Sequence, residues 1–165
     1  MIRQTSATAA IVVTTGAAAQ RYPAKPIRLV AGFAPGGHVD ITARLVAHKL
    51  TQALGQPVVV DNRAGAGGMI GADLVSKSTP DGYTLLMGHI GTLAVNPSLY
   101  PKLPYNPLKD FTPVAWVANV PNVLVLHPAT KATNMKEFVA FATSNPGRLN
   151  YGSGGNGSAG HLAGE

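Results

Sequence analysis

Apolar and polar positions alternate in blocks along the first half of the chain, and the blocks change period. Residues 25–33, "KPIRLVAGF", form an apolar and β-branched run entered through Pro26, which predicts a first strand. Ala43, Val46, Leu50 and Ala53 then recur at helical spacing, with Arg44, His48 and Lys49 off that face. Asp40 stands where an N-cap belongs, Gly55 where the helix would end, and Pro57 just beyond. "PVVVDN" has no alternation, the pattern of a strand buried on both faces. A glycine turn, "RAGAGG", leads into a short helix, "MIGADLVSKS", which Pro80-Asp81-Gly82 ends, and "YTLLMG" reads as strand three. Strand, helix, strand, helix, strand with short connections predicts a parallel sheet with right-handed crossovers.

The rhythm changes after residue 88. "IGTLAVNPSLY" predicts a short helix, and "PKLPYNPLKDFTP", with four prolines, an irregular connection. "VAWVANVPNVLVLHP" reads as a long extended segment broken by Pro121. Asn134 with Glu137 three positions on is a capping-box pairing ahead of the helix "MKEFVAFATS". "LNYGS" predicts a short strand, followed by a glycine turn, "GSGGNGSAGH", and the opening of another helix. The expected organisation is a first α/β lobe over 20–112, crossover strands over 113–126 and the start of a second lobe over 127–165. A strand and under three helical turns cannot close a second sheet, so the chain reads as a fragment of a longer protein.

Composition narrows the classes. The 165 residues are 45% apolar and 12% charged, which argues against disorder. The net charge is +6, but Arg28, Arg44, Lys49, Arg63, Lys77, Lys102 and Lys109 are spread singly, so no nucleic-acid surface is expected. There is no cysteine, hence no disulfide, thiolate metal site or cysteine nucleophile. His38, His48, His89, His127 and His161 lie far apart, and no metal-ligand spacing occurs. Residues 1–19 read as a signal peptide. Arg3 is followed by a mildly apolar run, and Ala17-Ala18-Ala19 puts small residues at −3 and −1 of a cleavage site before Gln20. No stretch approaches the ~20 apolar residues that span a membrane.

The three glycine turns are the candidate chemistry. Each follows a predicted strand and precedes a predicted helix, where unpaired amides and the helix dipole favour an anion. Gly32 and Gly37 have P-loop spacing, but His38-Val39 stand where lysine and a hydroxyl residue are required, so phosphate binding of that kind is rejected. Gly152, Gly154 and Gly157 match a dinucleotide fingerprint whose acidic partner cannot be tested within the chain. A fragment of a nucleotide-dependent Rossmann-like enzyme therefore stays open as the alternative. Gly-x-Ser-x-Gly is absent. Ser158 and His161 read as a helix cap and a surface side chain rather than a catalytic pair, and Asp40 as a cap rather than a base. A carboxylate needs neither lysine nor metal when several backbone amides converge on it, the Gly37 amide among them.

"YPAKPIRLVAGFAPGGHVDITARLVAHKL", "GQPVVVDNRAGAGGMIGADLV", "PDGYTLL" and "NPGRLNYGSGGNGSAGHLAGE", in this order, resemble the Bug family, the periplasmic receptors of tripartite tricarboxylate transporters. The resemblance spans Tyr22 to Glu165. It implies a periplasmic-binding-protein-like fold of two α/β lobes and a monomeric, non-enzymatic receptor without cofactor. It also implies capture of a di- or tricarboxylate, acidic amino acid or aromatic acid, with membrane transporter subunits or a sensor as partners. By resemblance, Phe33, Ala34, Pro35, Gly36, Gly37 and Asp40 hold one ligand carboxylate. Ser153, Gly154, Gly155, Asn156, Gly157 and Ser158 face them from the second lobe, and the turn with Gly65, Ala66 and Gly67 borders the cleft. His38 and Val39 fall where the resemblance fixes no residue type.

Overall fold

The computed structural model describes residues 21–153 and 158–165. The expected signal peptide lies outside them. Three strands, β1 (Ile27–Ala31), β2 (Val58–Asn62) and β3 (Thr84–Met87), form one parallel sheet in the order β2-β1-β3. Ile27 pairs with Val58 and Arg28 with Thr84, and the register runs unbroken from there. The parallel sheet and the crossover helices α1 (His38–Leu54) and α2 (Met69–Ser76) are as the apolar blocks predict.

Burial follows strand order. Central β1 has four of its five residues buried, Val30 and Ala31 fully. Ala43 and Ala47 of α1 pack on this layer with Val39, Val58 and Met87. β2 departs from expectation: Val58 is buried but Val59 is 55% exposed. Its unbroken apolar run marks a strand, but the strand lies at the sheet edge, where α1 covers one face and α2 packs on β1 and β3 instead of on the other. Gly55 ends α1 in the left-handed conformation with φ of 68°. Asp40 is not the N-cap. Gly37 takes that place, and Asp40 sits in the first turn, buried.

Beyond β3, Gly91–Val95 form a π-helical turn that runs into α3 (Asn96–Leu99). From there the structure loosens. Residues 113–126, expected as crossover strands, pair with no strand among the described residues, and neither does "LNYGS". A strand exists only through its ladder partners, and none is present for these segments. Helix α4 (Met135–Ser144) carries the expected cap: the Asn134 side chain accepts the Glu137 amide at 3.0 Å. Glu137 reaches back one residue further than expected, accepting the amide of Thr133 at 2.8 Å. Helix α5 (Ala159–Gly164) is capped by Ser158, which accepts the His161 amide at 3.2 Å. No helix among the described residues is long and apolar enough to cross a membrane.

Candidate carboxylate site

Because the strands are parallel, the turns after β1, β2 and β3 leave the same edge of the sheet, the position where open α/β sheets bind ligands. The first two turns touch. A Cβ placed on Gly32 would lie 3.0 Å from the Cα of Gly68, and one placed on Gly68 would press on Phe33 and overlap Thr92 Oγ1. Gly68 has φ of 86°, so a side chain there would be both crowded and strained. Ala66 in the same turn adopts φ of 48°, which an alanine holds only where its surroundings impose it. The structure thus joins Phe33, Ala34, Pro35, Gly36, Gly37 and Asp40 with Gly65, Ala66 and Gly67 at one edge.

Asp40 organises the first turn. Its carboxylate accepts both Arg44 Nε (3.1 Å) and the Gly36 amide (2.9 Å) on Oδ2, and Asn62 Nδ2 (2.9 Å) on Oδ1. Arg44 Nη2 adds a 3.0 Å contact to Oδ1. These partners, Arg44 first, then Gly36 and Asn62, lower the Asp40 pKa to about 2, so the group is ionised and its charge is already matched. It braces the turn and is not the helix cap. Asn62, at the end of β2, also donates to the carbonyl of Phe33 at 3.2 Å and so ties the first turn to the second strand.

The amides of the first turn divide between internal partners and the open helix end. The Gly37 amide turns inward to the Ala34 carbonyl at 3.4 Å, and the Gly36 amide is held by Asp40. The first hydrogen bond of α1 runs from Ile41 N–H to the Gly37 carbonyl. The amides of His38, Val39 and Asp40 therefore have no partner inside the helix and form its positive end.

The second turn hangs on a buried polar network that sequence reasoning missed. The Gly67 carbonyl accepts Thr92 Oγ1 at 3.1 Å and Asn96 Nδ2 at 3.0 Å, and Tyr105 Oη donates to the Thr92 carbonyl at 2.5 Å. Thr92, Asn96 and Tyr105 are all buried. His89 was also missed. It follows β3 at the same edge, its ring 5.0 Å from that of Phe33 and 5.2 Å from that of His38. The available signal was positional: "GHIGT" directly follows the third parallel strand, as the two glycine turns follow the first and second. Of the turn expected to face these from a second lobe, Ser153 is exposed, Ser158 is a buried helix cap, and Gly154, Gly155, Asn156 and Gly157 lie outside the described residues. Among the described residues no cluster of three metal-ligating side chains occurs.

An α/β unit with its glycine turns gathered at one parallel-sheet edge defines a binding lobe of the periplasmic-receptor type. The chain belongs to the tripartite tricarboxylate transporter receptor family, TctC, whose model matches residues 42–165. Protein BugT of Bordetella pertussis (strain Tohama I) is 45% identical over 156 residues, 92% of this chain and 48% of BugT. An R. palustris protein solved with adipate superposes with a TM-score of 0.81 at 39% identity, over 86% of this chain and 48% of that one. MatC of Rhodopseudomonas palustris, solved with bound malate, gives 0.69 at 39% identity, over 74% of this chain and 42% of MatC. The chain spans about half the length of the relatives it matches. Family membership favours the solute-receptor reading over the Rossmann-like alternative.

Proposed function

We propose that the chain supplies the first, carboxylate-gripping lobe of an extracytoplasmic solute receptor. The carrying observation is the contact between the β1–α1 and β2–α2 turns at the N-terminus of a 17-residue helix, Gly32 against Gly68, with Asp40 and Asn62 fixing the backbone. An oxyanion set there meets the amides of His38, Val39 and Asp40 and the positive end of the helix dipole, a match for a carboxylate without lysine or metal. Adipate and malate in the family neighbours support a dicarboxylate.

The protein works by capture and release, with no bond made or broken. Its partners are the ligand and the membrane subunits of a tripartite transporter, or a sensor. It acts as a monomer in the periplasm, delivered by residues 1–19. The lobes divide as 20–112 and 127–165 joined by 113–126, with Ser153 to Ser158 closing on the ligand from the far side. Thermal denaturation in the presence of adipate, malate, AMP or chloride tests this. Adipate or malate should raise Tm in a concentration-dependent way, as ligands of the native state do. A rise with AMP alone would contradict the proposal.

A further inference from the structure

His38 and His89 form a pair of imidazoles from two different elements, set against each other at the rim of this site. His38 opens α1 and is exposed, while His89 leaves β3 and is half-buried against Phe33. Their ring centres are 5.2 Å apart. Gly91 donates its amide to His89 Nδ1 at 3.0 Å, which fixes that ring and leaves the proton of its neutral form on Nε2.

The charges nearest the pair are otherwise accounted for, and His48 and Lys49 lie about three turns further along α1. On α1, Asp40 is bonded to Arg44. At the end of β2, Asp61 pairs with Arg28 and Arg63. β3 and the π-helical turn carry no charged residue. The two imidazoles are thus the titratable groups at this rim whose charge is not matched by an opposite one. Burial, and then the neighbouring His38, hold the His89 pKa below its ordinary value, so His89 is neutral near pH 7.

We propose that His38 and His89 are a specificity-determining pair: they take up a proton as a dicarboxylate enters, so dianions are favoured over monoanions, increasingly so at lower pH. The inference rests on the carboxylate reading above. An entering anion stabilises the imidazolium form and offsets the repulsion between the rings. By linkage, binding that takes up a proton strengthens as pH falls from above the liganded pKa toward the free one. Aliphatic carboxylates are essentially fully ionised above about pH 6, and the comparison of dianion with monoanion is read there.

The test is a proton NMR titration of the five histidines in the whole chain between pH 5 and 8.5, with no ligand, with malate and with butyrate. Malate should raise the titration midpoints of His38 and His89, butyrate should do so less, and His48, about three turns along α1, should not move. Malate affinity should rise about three- to tenfold from pH 8 to pH 6. His38→Gln, at an exposed position, should flatten that rise, and His89→Gln should do the same. If malate shifts the amides of 38–40 but neither histidine midpoint, the pair is not a selector and the carboxylate reading stands. If malate moves neither, the carboxylate reading fails and the selector fails with it.

Discussion

Residues 27–112 and 113–165 are both rich in apolar side chains, yet only the first stretch buries them. Ile27, Leu29, Val30, Ala31, Val39, Ala43 and Ala47 are 5% exposed or less. In the second stretch Val114, Trp116, Val123 and Val125 are 77–85% exposed, and helices α4 and α5 bury no residue. What differs is pairing. Three parallel strands and two crossover helices enclose one core, whereas 113–126 has no ladder partner among the described residues. Apolar composition supplies the drive to bury, and topology decides whether anything is there to bury against. The turns after β1, β2 and β3 lie in the stretch that buries its apolar side chains, so their geometry is set by packed elements at three successive strand ends.

The contrast can be broken most directly by one truncation on each side. Ile27→Ala removes a side chain 1% exposed and should cost about 2–5 kcal/mol. Trp116→Ala removes a larger one that is 85% exposed and should change stability by less than ~0.5 kcal/mol. Urea denaturation of both variants decides it, and comparable losses would mean 113–126 packs as tightly as the sheet. Gly68→Ala comes next, at roughly 2–4 kcal/mol from a left-handed φ together with overlap on Thr92, accompanied by loss of malate binding in calorimetry.

Asn96→Ala should cost roughly 1–3 kcal/mol by removing a buried donor from the Gly67 carbonyl. Asn122→Ala, which breaks a bond to the Ala159 carbonyl on the exposed side, should lie near zero in the same denaturation series. The smallest effect is on acid stability. Asp40 has a folded pKa of about 2 against an ordinary 3.8, so its contribution is present above pH 3.8 and is lost as pH falls toward 2. Asp40→Asn should reduce the loss of stability across that window, read by circular dichroism against pH.

The sheet was legible because each of its elements is announced locally: the run ending at Ala31, the 3.6-residue recurrence from Ala43, the glycine at 55. The position of β2 at the edge was not, since "VVV" predicts a strand without saying how many neighbours it has. Of the site, the glycine turns could be read from strand–turn–helix order alone. The roles within them could not. Whether Asp40 caps or braces depends on Asn62 arriving from the end of β2, while its other partner, Arg44, stands four residues along the same helix. His89 and Asn96 became site residues through contacts with the first two turns, which no local pattern encodes.

We propose that the strand-end turns of residues 33–40, 65–68 and 89–91 together receive a carboxylate. Amide chemical-shift mapping of the whole chain during titration with malate and adipate tests it most directly. Saturable shifts should centre on His38, Val39 and Asp40, with Gly67, Gly68 and Gly91 following, and 113–126 should change little. Saturable shifts confined to 113–165, or none in the three turns at millimolar ligand, would contradict it.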